Sequence, residues 1–99
     1  MNNLTNKNDI PQNGIVILDF YAEWCIGCKA IMPRLEMLAD KEKEYQFFKI
    51  DADSEPQLLS DFFITSLPTI IVMKDGKEIV RRVGKESCQD LITNFNSIV

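Results

Sequence analysis

Histidine is absent from this sequence. That absence removes Ser–His and Cys–His nucleophile pairs, histidine-ligated haem and the common zinc sites. Cysteine is scarce, at three residues: Cys25, Cys28 and Cys88. A structural disulfide framework normally uses an even number of dispersed cysteines, which this is not. Basic charge is in deficit, with 11 Lys and Arg against 15 Asp and Glu, a net charge of −4. The lysines are scattered, so no nucleic-acid partner is expected. Long apolar runs are missing too. Ile15 to Leu18 and Ile70 to Met73 are the longest pure ones, far too short to cross a bilayer, and no membrane partner is expected. Met1 to Asn13 is polar and holds no apolar core of signal-peptide length, so the expected location is the cytoplasm.

What is present fits one globular domain over residues 1–99, with 1–14 a short, partly disordered N-terminal segment. Ile15 to Ala22 reads IVILDFYA, a strand covered on both faces. Lys29 to Lys43 repeats Ile31, Met32, Leu35, Leu38 and Ala39 at helical spacing, with a kink expected at Pro33. Tyr45 to Ile50 is a second strand, and strand–helix–strand at this spacing predicts a parallel pair. Glu55 to Phe63 is a shorter helix. Thr69 to Lys74 and Lys77 to Val83 flank Asp75-Gly76, the type I′ hairpin signal. Ser87, with Asp90 three residues on, is expected to cap a last helix whose apolar face is Leu91, Ile92, Phe95 and Ile98.

The chemistry centres on Trp24-Cys25-Ile26-Gly27-Cys28-Lys29, at the junction of the buried strand and the helix. A helix N-terminus offers unpaired N–H groups and partial positive charge. A thiolate at Cys25 gains from both, so Cys25 is the expected nucleophile. Cys28 lies on the same face one turn deeper and can attack a mixed disulfide at Cys25. Half of a zinc site, or a pair of plain core cysteines, are the competing readings; the strand–helix–strand context favours redox chemistry. Asp19 interrupts an otherwise apolar strand. Burial of its carboxylate should raise the pKa and fit it for moving protons, and the alternative is a solvated strand-edge acid.

ILDFYAEWCIGCK closely resembles the thioredoxin active-site stretch, usually written VDFWAEWCGPCK. The resemblance runs from about Ile15 to the C-terminus. Pro33 matches the proline of the active-site helix, Ser66 to Thr69 the loop with the cis proline, and Lys74 to Gly76 the hairpin. Val83-Gly84 matches the glycine that closes the substrate groove. The resemblance implies a three-layer α/β thioredoxin-like fold with a mixed sheet and helices on both faces. It implies that Asp19 serves the buried cysteine with Lys49 as its partner, and that the bond before Pro68 is cis. A substrate strand would pair beside Leu67, against a surface of Trp24, Ile26, Gly27, Leu67, Pro68, Val83 and Gly84.

The resemblance also implies reduction of protein disulfides, recharging by a flavin-dependent thioredoxin reductase using NADPH, no bound cofactor or metal, and a monomer. An extracytoplasmic oxidase or isomerase, an electron relay and a non-catalytic interaction module are the alternatives. The motif is CIGC where the family has CGPC, so the first helical turn lacks a rigid residue and Ile26 stands beside the nucleophile. The N-terminus is short for the family. A brief edge strand near Asn3 to Asn6 and little or no first helix are expected. Cys88 is expected to be a half-buried bystander.

Overall fold

The computed structural model describes residues 1–99. The elements in chain order are β1 (Asn2–Asn3), a 3-10 turn (Lys7–Asp9), β2 (Ile15–Tyr21), α1 (Ile26–Lys41), β3 (Gln46–Asp51), α2 (Pro56–Asp61), β4 (Thr69–Lys74), β5 (Lys77–Val83), α3 (Lys85–Thr93) and α4 (Phe95–Ile98). Five strands form one sheet in the order β1-β3-β2-β4-β5. β2 pairs in parallel with β3 and antiparallel with β4, so the sheet is mixed and β2 lies at its centre. That position explains the apolar run: alternate side chains of β2 enter different cores. Val16, Leu18 and Phe20 join Leu58 and Phe62 on one face, while Ile17 joins Ile31, Leu35, Leu91 and Phe95 on the other. The three layers are therefore α2 with the N-terminal segment, the sheet, and α1 with α3.

β4 and β5 have the bounds read from the sequence, and Asp75 and Gly76 at their turn both have positive φ, at 51° and 82°. That is the backbone a two-residue I′ turn requires, and glycine adopts it without cost. The edge strand is Asn2–Asn3, slightly earlier than expected, and a single 3-10 turn replaces the first helix. α1 stays continuous through Pro33. Proline deletes the bond to the Lys29 carbonyl, and both residues are exposed, so the loss falls on the solvent side.

The last helix departs from expectation at both ends. It begins at Lys85 with Gly84 as N-cap, not at Ser87, and no side chain caps it. Asp90 instead meets Arg82 of β5 at 2.7 Å. The helix also breaks at Asn94, whose side-chain amide donates to the Asp90 carbonyl at 3.2 Å and to its carboxylate at 2.9 Å. Those side-chain bonds compete with helix continuation, and α4 follows as a separate turn.

Candidate active site

β2 ends at Tyr21, Ala22 is buried beneath the following turn, and Cys25 is the N-cap of α1. The Cys25 Sγ accepts a hydrogen bond from the Cys28 N–H at 3.2 Å. A cysteine sulfur thus fills the capping role usually taken by a serine or aspartate oxygen. The same N–H and the helix dipole favour negative charge on Cys25 when the pair is reduced. The two cysteines are joined as a disulfide, with Cα atoms 5.2 Å apart. Cys25 is 8% exposed and Cys28 2%, so the sulfur nearer the surface is the one at the cap.

Asp19 is fully buried on the α1 face of β2, and neither carboxylate oxygen has a hydrogen-bond partner. Burial lifts its pKa from the ordinary 3.8 to about 7, against an opposing pull from the Lys49 charge. Lys49 stands opposite Asp19 in the parallel ladder of β2 and β3. It forms no ion pair with Asp19; its ammonium lies over the Tyr21 ring, 6.0 Å from the centroid. A recess of about 120 Å³ opens between Tyr21, Glu23, Lys29, Met32 and Lys49 and reaches Cys28. It is large enough for water, and so for proton exchange near the buried sulfur.

Of the other predicted residues, Pro68 adjoins Gly27 and Gly84, and Trp24 lies with Leu67. The Leu67–Pro68 bond is cis, and the Pro68 carbonyl accepts the Gly84 N–H at 2.8 Å. Gly84 has φ +91°, open to glycine and strained for other residues. Thr69 is buried and its hydroxyl donates to the Ser66 carbonyl at 2.6 Å, which pins the loop before the proline. Trp24, Ile26 and Val83 are 68%, 84% and 47% exposed, a large apolar surface for a dithiol to be set in. Gly27 and Pro68 meet: a Cβ on Gly27 would lie 3.4 Å from the Pro68 Cδ.

Cys88 is not half-buried. It is fully buried, and its Sγ lies 3.5 Å from the Arg82 carbonyl and 3.8 Å from that of Pro68. Burial first, and the Asp19 charge second, push its thiol up to about 12, so it is no nucleophile. Two residues at the site were missed by sequence reading. Asp53 accepts the Trp24 indole N–H on both carboxylate oxygens, at 3.2 and 3.0 Å, and fixes that ring. Lys85 packs its Cβ against the Gly27 position. Neither carries a local signal, since an exposed acid after a strand and an exposed lysine at a helix start are ordinary.

Comparison with known proteins agrees with this geometry. The thioredoxin family model matches residues 2–97. Thioredoxin of Chlamydia trachomatis is 41% identical over 87 residues, covering 88% of this chain and 85% of its own length. Mitochondrial thioredoxin-3 of Saccharomyces cerevisiae is 36% identical over 85 residues, covering 85% and 67%. The structure of Plasmodium falciparum thioredoxin superposes with a TM-score of 0.83 at 32% identity, over 96% of this chain and 99% of that one. A C-x-x-C pair in the active-site position, on this fold, reduces protein disulfides in its dithiol form and closes to the disulfide seen here. The chain belongs to the thioredoxin family of thiol–disulfide oxidoreductases.

Proposed function

We propose that Cys25 opens the substrate disulfide, that Cys28 resolves the mixed disulfide, and that Asp19 takes the Cys28 proton. The Cys25 thiolate attacks one substrate sulfur; that S–S bond breaks and the other substrate sulfur leaves as a thiolate. Cys28 then gives its proton to Asp19 and attacks the Cys25 Sγ. The bond to substrate breaks, the second substrate sulfur leaves as a thiolate that takes up the proton released through Asp19, and Cys25–Cys28 closes. Two electrons have passed from the dithiol to the substrate. The observation that carries this order is the Cys28 N–H on the Cys25 Sγ at the start of α1.

Lys49 tempers the Asp19 charge from the neighbouring strand. Trp24, Ile26, Gly27, Leu67, Pro68, Val83 and Gly84 hold the substrate segment. A flavin-dependent thioredoxin reductase recharges the pair from NADPH. A reductant role fits a reducing compartment, so the proposed location is the cytoplasm. Lys77, Glu78, Arg81 and Arg82 on the β5 edge discourage strand-to-strand association, in keeping with a monomer.

The test is chemical trapping. Near neutral pH, an alkylating agent is expected to modify Cys25 before Cys28 in the reduced protein. Cys28→Ser should accumulate mixed disulfides with substrate and Cys25→Ser should not. Preferential labelling of Cys28 would reverse the assignment.

A further inference from the structure

We infer that Lys85 is a specificity-determining residue of the dithiol groove, favouring substrates with an acidic residue on one side of the attacked cysteine. This deepens the reductase reading and rests on it. Lys85 is the first residue of α3, directly after Gly84. A Cβ built on Gly27 would lie 3.4 Å from the Lys85 Cβ and 3.4 Å from the Pro68 Cδ. The lysine stem therefore leans on the turn between the two cysteines, where Pro68 also meets it.

Three observations set Lys85 apart from an ordinary surface lysine. It is exposed, and the ion pairs of the molecule, Glu78–Arg81 and Arg82–Asp90, leave its ammonium unneutralised. Adjacent Glu86 does not face it, because neighbouring helix residues diverge. Its position opposes helix electrostatics, since a cation in the first turn meets the positive end of the dipole. Local rules are broken mainly where function uses the breach. Finally, Asp53, which holds the Trp24 indole, puts an acid beside Leu67, whereas Lys85 stands beside Pro68. The groove runs from cationic at Lys85 to acidic at Trp24. A segment lying along Leu67 meets both ends, so the preference for acid is directional.

The test uses reduced protein and four short peptide disulfides. Glu or Lys is placed on the N-terminal or the C-terminal side of the attacked cysteine. The rate of the first exchange is followed by the fluorescence of Trp24, the sole tryptophan. For one placement, wild type is expected to favour Glu over Lys. Lys85→Glu should lower that ratio about five- to tenfold at low salt, with the difference fading as salt rises. Glutamate suits the start of α3, so the variant should fold. Lys77→Glu makes the same change in net charge at the hairpin end of β5, and should leave the ratio alone. Turnover with the same ratios in wild type and Lys85→Glu, or an equal shift from Lys77→Glu, overturns the proposal alone. If wild type reduces none of the peptides, the reductase reading falls and the proposal falls with it.

Discussion

Asp19 is the residue on which stability and chemistry pull in opposite directions. A carboxyl group with both oxygens unpartnered in the core costs far more when ionised than when protonated. Its unfolded pKa is near 3.8 and its folded value about 7. The stability it permits is thus complete below about pH 4 and is lost as pH rises through about 7. A difference of that size corresponds to roughly 4 kcal/mol as an upper figure. Asp19→Asn removes the charge at any pH. Urea denaturation from pH 4 to pH 8 should show the variant gaining on wild type as pH rises, then levelling off. Its disulfide reduction should be slower, because Cys28 has lost the group that takes its proton. Parallel stability curves together with unchanged rates would overturn the assignment.

Among the elements, the active-site turn departs from the family in its sequence, CIGC for CGPC. Gly27 is the second residue of α1, and the cap bond goes to the Cys28 N–H, so its own N–H has no partner to lose. A Cβ there would make ordinary contacts with Lys85 and Pro68. Gly27→Pro should therefore stabilise the protein by about 0.4–1 kcal/mol, chiefly by restricting the unfolded chain. Ile26 works against this, since a helical residue before proline is crowded. A lowered denaturation midpoint would show that the Ile26 backbone wins. Legibility also varied by element. The β4–β5 hairpin was readable because Asp75-Gly76 encodes its turn locally. β2 was readable because central burial leaves a continuous apolar run. The start of α3 was misread because Ser87 and Asp90 imitate a local cap, while Arg82, across on β5, recruits Asp90. Burial of Cys88 was legible in hindsight: it precedes Leu91 and Ile92 by three and four positions, on the same apolar stripe. Cys25, Cys28, Asp19 and Pro68 were legible from motif and context. Asp53 and Lys85 were not, because both matter only through contacts that folding creates.

For the whole molecule, the open question of physics is how a thioredoxin fold lacking its usual first helix covers the sheet face opposite α1. The N-terminal segment does so with few apolar residues. Leu4 and Ile10 are 2% and 5% exposed and join the cluster of Leu18, Phe20, Leu58 and Phe62. The Leu4 N–H donates to the Lys49 carbonyl at 2.9 Å, continuing the β1–β3 ladder past Asn3. A polar segment is thus anchored by two apolar plugs and a few backbone bonds, and the plugs should carry a large share of the total stability. Leu4→Ala is expected to cost about 2–5 kcal/mol, the range for emptying a packed leucine site. Exposed Thr5→Ala, next in sequence, should stay within about 0.5 kcal/mol. Urea unfolding followed by circular dichroism measures both, with an unchanged slope showing that the same cooperative unit unfolds. Leu4 packs on the sheet face opposite α1, which carries Cys28, so the folded fraction of Leu4→Ala should keep its dithiol exchange rate. A loss in Leu4→Ala as small as in Thr5→Ala would mean that the segment merely rests on the core, and that the sheet with α2 closes that face without it.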